Sequence, residues 1–169
     1  AQALSLASKN LGVKAYIVMP LNAPSVKKEA VLSYGGIITE SQPTLEAREG
    51  EAKRIVKETG ATFLHPSNNM DVILGNATAA MELLKEQPNL DYIFTPVGGG
   101  GLIAGTALAA YHFGNHCKTI GGEPAAVDDA YRSLLSGKIE TNKSTYTVAD
   151  GLRTNLGDIN FPIIRELVS

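Results

Sequence analysis

The chain has 169 residues, of which 44% are hydrophobic, and its formal net charge at pH 7 is −2. This length is enough for one ordinary domain or two small domains with a buried core. The weak negative charge gives no general attraction to nucleic acid or to an anionic membrane, and no apolar run is long enough to span a bilayer. The single cysteine, Cys117, cannot form an intramolecular disulfide. We therefore expect a cytoplasmic protein with neither nucleic-acid nor membrane partners.

The first part of the chain alternates between helical and strand patterns. Hydrophobic periodicity and turn residues predict helices over residues 1–10, 26–34 and 45–59, and strands over residues 14–19, 37–39 and 61–64. This β-α-β-α-β alternation requires parallel strands and right-handed crossovers. We therefore predict a small α/β lobe over residues 1–66, with its boundary in the polar loop of residues 65–69. In that loop we interpret His65 as structural rather than catalytic.

The second part, residues 67–169, continues the alternation. The patterns predict helices over residues 71–85, 102–111 and 128–135 and a last helix near Pro162, with a buried strand before residue 98 and a short strand over residues 119–121. Residues 137–147 are polar, which favours an exposed excursion between two of these helices. The order of elements again indicates an α/β lobe with parallel strands.

Four consecutive glycines, residues 98–101, join the buried strand to the helix that follows. Without Cβ atoms, the backbone can adopt positive φ values and approach a ligand closely, so that successive N–H groups point at one spot. The start of the helix adds unpaired donors and the positive end of its dipole. These features predict an oxyanion site. The alternative is a tight turn, for which one or two glycines would be enough.

The glycine run does not match the common nucleotide-binding motifs. No Lys-Ser or Lys-Thr pair follows it, and Ile103 occupies the place of the third glycine in G-x-G-x-x-G. A small phosphorylated cofactor therefore fits this loop better than a nucleotide.

Three carboxylates, Glu123, Asp128 and Asp129, lie within seven residues just beyond a predicted strand. Together with a backbone carbonyl, such oxygens can hold a hard cation such as Mg²⁺ or Ca²⁺. Alternatively, Asp128 and Asp129 belong to the first turn of a helix, where the dipole favours negative charge. Spacing alone favours this second interpretation. No lysine has the apolar context that a Schiff-base lysine needs. If the cofactor is an aldehyde, its lysine is therefore expected outside this chain.

The ordered motifs Pro-Val-Gly-Gly-Gly-Gly-Leu (residues 96–102), Gly-Glu-Pro (122–124) and Ala-Asp-Gly (149–151) resemble the fold-type-II pyridoxal-phosphate enzymes. Within them, the chain is most similar to the serine racemase and threonine/serine dehydratase group, over its whole length. The resemblance implies a two-lobed, three-layer α/β fold with parallel sheets, like that of the tryptophan synthase β chain. Residues 1–66 would be the small lobe and residues 67–169 part of the large cofactor-binding lobe. The chain would be an internal fragment, incomplete at both ends, with no catalytic residue and with the Schiff-base lysine upstream.

The same resemblance implies specific site residues. The phosphate of pyridoxal 5'-phosphate (PLP) would be bound by Gly98, Gly99, Gly100, Gly101 and the Leu102 amide, with Gly151 lining the cofactor near its ring. A divalent cation, Mg²⁺ or else Ca²⁺ or Mn²⁺, would be held by Glu123, the Val127 carbonyl and Asp129, which reverses the preference from spacing alone. Gln2 and Tyr34 match positions that approach a nucleotide effector in animal racemases, so ATP is a candidate effector.

The implied activity is PLP chemistry on a small amino acid with a β-hydroxyl group. It would be the dehydration and deamination of L-serine or L-threonine to a 2-oxo acid and ammonia, the racemisation of serine, or both. The full-length enzyme is expected to be a homodimer, and the fragment alone is expected to be inactive. One alternative is a non-catalytic α/β module that binds a phosphorylated effector at the glycines. Another is a β-replacing synthase of the same fold, such as cysteine synthase, against which the carboxylates near Glu123 argue.

Overall fold

The chain separates into two units, residues 1–63 and residues 64–169, in a computed structural model that describes all 169 residues. None of its helices combines the length and the apolar character that crossing a membrane requires. The lobe boundary expected after Pro66 lies close to this division. Its assignment to the lobes of the whole protein stays a prediction.

The first unit is a β-α-β arrangement with two further helices. Its elements are helix α1 (Gln2–Asn10), strand β1 (Tyr16–Pro20), helix α2 (Ser25–Ser33), strand β2 (Ile37–Ser41) and helix α3 (Leu45–Thr59). The two strands are parallel, with Tyr16 opposite Ile37. The Thr44 hydroxyl oxygen accepts a hydrogen bond from the Ala47 amide at 3.2 Å and caps α3, and Gly60 ends this helix with a φ of +70°. The fully buried Val31 lies in the small core beside β1.

The third strand predicted for this region, over residues 61–64, is absent. Phe63 and Leu64 are 52% and 40% exposed, and the sheet contains only β1 and β2. A strand needs a neighbouring strand to receive its hydrogen bonds, and residues 61–64 pair with none. The prediction was wrong because a short apolar run indicates an extended backbone without supplying this partner.

The second unit is built around helix α5, which packs against helix α4 and against both strands of a parallel pair. Its elements are α4 (Met70–Glu86), β3 (Tyr92–Pro96), α5 (Gly101–Phe113), β4 (Lys118–Gly122), α6 (Asp129–Ser136), a one-turn 3₁₀ helix (Asp150–Leu152) and α7 (Asn160–Leu167). The backbones of α4 and α5 approach closely at Gly105, where a Cβ atom would collide with the carbonyl oxygen of Ile73. The core around this contact contains Ile103, Ala104 and Ile164, which are all at most 1% exposed.

Strand β3 was predicted to be buried, and only one of its faces is. Thr95 is 4% exposed, whereas Tyr92 and Phe94 on the opposite face are 54% and 75% exposed. Helix α5 contacts the strand, and the aromatic face stays largely open to solvent. The apolar composition of the strand therefore did not distinguish one covered face from two.

Candidate functional site

The glycine run lies at the carboxyl end of β3, where it joins this strand to α5. Because β4 runs parallel to β3, Glu123 follows β4 at the same edge of the sheet. Ligands of open parallel sheets bind at such edges. The predicted phosphate-binding glycines and the first predicted cation ligand are therefore on one side of the second unit.

The amide groups of the glycine loop, residues 98–102, have no acceptor within the chain. The N–H groups of all five residues lack a hydrogen-bond partner, and the first bond of α5 runs from the Ala104 amide to the Gly100 carbonyl at 3.0 Å. Gly99, Gly100 and Gly101 are nevertheless buried. Buried donors normally require partners. Five consecutive unpaired donors at the start of a helix have the chemistry of an oxyanion site.

The carbonyl side of the loop is, by contrast, anchored. The Gly99 carbonyl oxygen accepts hydrogen bonds from the Gly157 amide at 3.3 Å and from Asn160 Nδ2 at 2.5 Å. Asn160 is fully buried at the start of α7, and its Oδ1 atom has no partner. This pair of donors holds the loop through its oxygen and leaves its amides available.

Three of the four glycines are required for different structural reasons. Only Gly100 has a positive φ, at +89°. At Gly98 and Gly101, a Cβ atom would lie 3.0 Å from the Gly151 carbonyl oxygen and 2.8 Å from the Ser67 carbonyl oxygen, respectively. A simple tight turn needs none of these close approaches.

Gly151 lies beside the glycine loop, as the same Gly98 contact shows. It is exposed within the 3₁₀ helix, and a Cβ atom on it would meet nothing within 4 Å. The structure therefore brings together all six residues that the resemblance assigned to the cofactor, although 49 positions separate Gly151 from Leu102 in the chain.

The segment containing His65 lies next to the same loop and was not predicted to do so. His65 Nδ1 accepts hydrogen bonds from the amides of Ser67 and Asn68 at 3.2 and 2.8 Å. These bonds shape the turn that places Ser67 against Gly99 and Gly101. They agree with a structural role for His65. No local signal identified Ser67 or Asn160 as supports of the loop, because both are distant from it in sequence.

The predicted cation ligands meet at the start of α6. The two carboxylate oxygens of Glu123 accept hydrogen bonds from the Ala130 and Tyr131 amides at 3.2 and 2.9 Å. Since the Tyr131 amide bonds to Glu123, the carbonyl of the fully buried Val127 receives no hydrogen bond from it. Asp129 is 1% exposed, its Oδ2 accepts from the Leu156 amide at 2.7 Å, and its Oδ1 has no partner.

The pKa values of Glu123 and Asp129 are shifted in the opposite direction from that of Asp128. Burial raises the pKa of Glu123 and also raises the pKa of Asp129, because it disfavours their charged forms. The Arg132 guanidinium, whose Nε lies 2.8 Å from Asp128 Oδ1, lowers the pKa of Asp128. No three His, Cys, Asp or Glu side chains cluster as a metal site in the chain. Two carboxylates with an unpaired carbonyl and an orphaned buried oxygen still fit a hard cation, which takes oxygen ligands of these kinds.

The residues matched to a nucleotide effector are not joined in one pocket. Gln2 is exposed at the start of α1, whereas Tyr34 lines a cavity of about 240 Å³ with residues that include Ser5 and Gly35. Gln2 does not line this cavity. ATP binding at Gln2 and Tyr34 stays a prediction.

The chain resembles known proteins over its whole length. The family model described as "Pyridoxal-phosphate dependent enzyme" matches residues 1–169. The chain is 47% identical to a serine racemase from Dictyostelium discoideum over 167 residues, which are 98% of this chain and 52% of that protein. It also resembles maize serine racemase (TM-score 0.95, 46% identity, 100% of this chain and 51% of the other). For a T.th. threonine deaminase the TM-score is 0.92, with 39% identity over 99% of this chain and 56% of the other.

The chain thus spans about half the length of the curated relatives it matches. The α/β fold with parallel sheets expected from the motifs is confirmed by the solved structures that it superposes on. The expected family is confirmed as well, by a match that leaves no part of the chain outside it. The chain belongs to the pyridoxal-phosphate dependent enzymes.

Proposed function

We propose that the whole protein uses PLP to dehydrate and deaminate L-serine or L-threonine, to racemise serine, or to do both. The observation that carries this proposal is the set of five unpaired amides over residues 98–102. They would bind the cofactor phosphate, while Gly151 would line the cofactor near its ring. The resemblance to serine racemases and to a threonine deaminase supports the choice of substrate.

Bound PLP withdraws electrons from the α-carbon of an amino acid, which makes the α-proton acidic. The residues of this chain would contribute binding and orientation. The glycine-loop amides would direct fixed positive dipoles at the phosphate, and the anchoring of Gly99 by Gly157 and Asn160 would hold these amides in position. The lysine that binds the cofactor is expected outside this chain. Loss of the α-proton and of the β-hydroxyl as water would leave an enamine, which water hydrolyses to a 2-oxo acid and ammonia. Return of the α-proton to the opposite face would instead racemise serine.

The test uses the full-length protein loaded with PLP. We expect it to release pyruvate from L-serine or 2-oxobutanoate from L-threonine, or to form D-serine, and the ratio of these products distinguishes dehydratase from racemase. The absence of any product from serine, threonine and hydroxyaspartate would contradict the proposal. Phosphate binding without turnover would favour the non-catalytic module, and exchange of the β-substituent for an added nucleophile would favour a β-replacing synthase.

We also propose that Glu123, the Val127 carbonyl and Asp129 hold Mg²⁺, or else Ca²⁺ or Mn²⁺. The support is the orphaned Asp129 Oδ1 and the Val127 carbonyl that α6 leaves unpaired. Added Mg²⁺ should raise the melting temperature of the full-length protein, and Glu123→Ala should abolish this rise. Glu86→Ala, which removes an exposed carboxylate of the same unit at the end of α4, is the matched control and should leave the rise intact. Identical melting curves with and without the ion in the unaltered protein would refute this site.

Three further predictions concern the whole protein. Homodimer formation can be measured by sedimentation, a cytoplasmic location by cell fractionation, and ATP binding by titration of the protein and of a Tyr34→Ala variant. A monomer, a membrane-associated fraction or ATP binding that is unchanged in the variant would contradict the respective prediction.

A further inference from the structure

Asn142 is a polar residue that its surroundings do not satisfy. Its side-chain Nδ2 and Oδ1 atoms are both buried, and neither has a partner at hydrogen-bond geometry. It belongs to residues 137–147, which the sequence predicted as an exposed excursion. A buried amide that is unpaired at both ends indicates a water molecule or an ion beside it.

The backbone next to Asn142 is tied to Asp129 through two consecutive residues. The Asn142 amide donates to Asn155 Oδ1 at 2.8 Å. The amide of Leu156, the residue that follows Asn155, donates to Asp129 Oδ2 at 2.7 Å. The second oxygen of Asp129, Oδ1, is buried and also lacks a partner.

Arg132 makes a second connection between this segment and the start of α6. Arg132 binds Asp128 through its Nε atom at 2.8 Å and donates from Nη2 to the Thr141 carbonyl at 2.9 Å. Residues 141 and 142 are therefore fixed at the first turn of α6, where Asp129 is located. The Asn142 side chain lies within hydrogen-bonding reach of Asp129. The unpaired atoms of Asn142 and Asp129 form one buried polar cluster.

We propose that Asn142 belongs to the cation site, where its side-chain amide holds the water shell of the ion beside Asp129. This inference rests on the proposed cation site of Glu123, Val127 and Asp129. Mg²⁺ keeps several of its waters when it binds to protein, and an uncharged amide offers such waters both a donor and an acceptor. The bound, hydrated ion would give partners to the atoms of Asn142 and Asp129 that lack them.

The experiment measures Mg²⁺ and Mn²⁺ binding by calorimetry to the full-length protein after removal of divalent ions with a chelator. Asn142→Ala should raise both dissociation constants by roughly tenfold to a hundredfold, as loss of an outer-shell partner does. Asn89→Ala, which removes an exposed asparagine of the same unit, should leave them unchanged. Asn142→Asp adds an anionic oxygen at the ion and should bind it at least as tightly as the unaltered protein.

The outcomes separate this inference from the cation site on which it rests. If Asn142→Ala binds both ions as tightly as the unaltered protein while Glu123→Ala does not, Asn142 is only structural and the inference is wrong. If the unaltered protein binds neither ion, the cation site itself is wrong, and the inference falls with it. Should Asn142→Ala fail to fold, Asn142→Asp decides: weakened binding in that variant overturns the inference, and retained or tightened binding supports it.

Discussion

Gly100→Ala is the replacement in the glycine loop that the structure opposes most strongly. Gly100 has a φ of +89°, and an added Cβ would lie 2.6 Å from Leu156 Cδ1 and 3.0 Å from Asn160 Cβ. Gly137 provides a matched control, because its φ is +72° and a Cβ atom there would meet nothing within 4 Å. The two replacements share the backbone strain and differ in packing.

The expected difference in the free energy of unfolding between the variants follows from backbone strain, the entropy of the unfolded chain and packing. A left-handed backbone costs an L-residue about 1–2 kcal/mol, which applies at both positions. Both alanines also lower the conformational entropy of the unfolded chain, which offsets about 0.4–1 kcal/mol of this strain cost in each variant. Only Gly100→Ala overpacks the core, at a typical cost of about 1–3 kcal/mol. We therefore expect Gly100→Ala to lower the free energy of unfolding by about 1–3 kcal/mol more than Gly137→Ala does.

The assay is urea denaturation of the full-length protein and the two variants, with PLP removed so that cofactor binding does not contribute. A PLP titration of the folded variants should then show weaker binding only for Gly100→Ala, because a displaced Gly100 moves the amides of the loop. Equal losses of stability in the two variants would refute the packing argument. Equal PLP affinity would refute the assignment of the loop to the cofactor.

The other predictions concern side-chain hydrogen bonds made by Asn160 and Asn68. Asn160→Ala removes a donor to the Gly99 carbonyl and should cost about 1–3 kcal/mol in urea denaturation, whereas Asn89→Ala should cost almost nothing; equal losses would contradict this. Asn68 donates to Asp158 at 2.6 Å and lowers its pKa. Asp158 therefore stabilises the fold above its ordinary pKa and loses this effect as pH falls through the lowered value. Asp158→Asn should reduce the loss of stability at acid pH, and an unchanged pH profile would contradict the prediction.

The features that the sequence predicted well depend on local chemistry. Gly60 ends α3 because glycine adopts a positive φ there, and the glycine loop leads into α5 because its residues sit between a strand and an apolar helical run. The motifs that indicated the family are also short and local, and their order along the chain made the resemblance specific. Residue type and near neighbours were sufficient for these predictions.

The features that could not be predicted depend on contacts between distant residues. Nothing within residues 61–64 shows that a partner strand is missing, and the aromatic residues Tyr92 and Phe94 do not show which face of β3 is covered. Ser67 and Asn160 support the glycine loop from positions that are far away in the chain. Sequence periodicity reports which residues prefer burial, and long-range packing decides which neighbours they meet.

One short segment connects the two proposed sites. The Leu156 amide donates to Asp129, and the Gly157 amide and the Asn160 side chain donate to the Gly99 carbonyl. A cation that fixes Asp129 should therefore also fix the support of the glycine loop. Because such coupling is reciprocal, Mg²⁺ should tighten PLP binding and PLP should tighten Mg²⁺ binding by the same factor. Titrations of the full-length protein with each ligand, in the presence and absence of the other, measure both factors. If either affinity is independent of the other ligand, the shared segment does not transmit the effect.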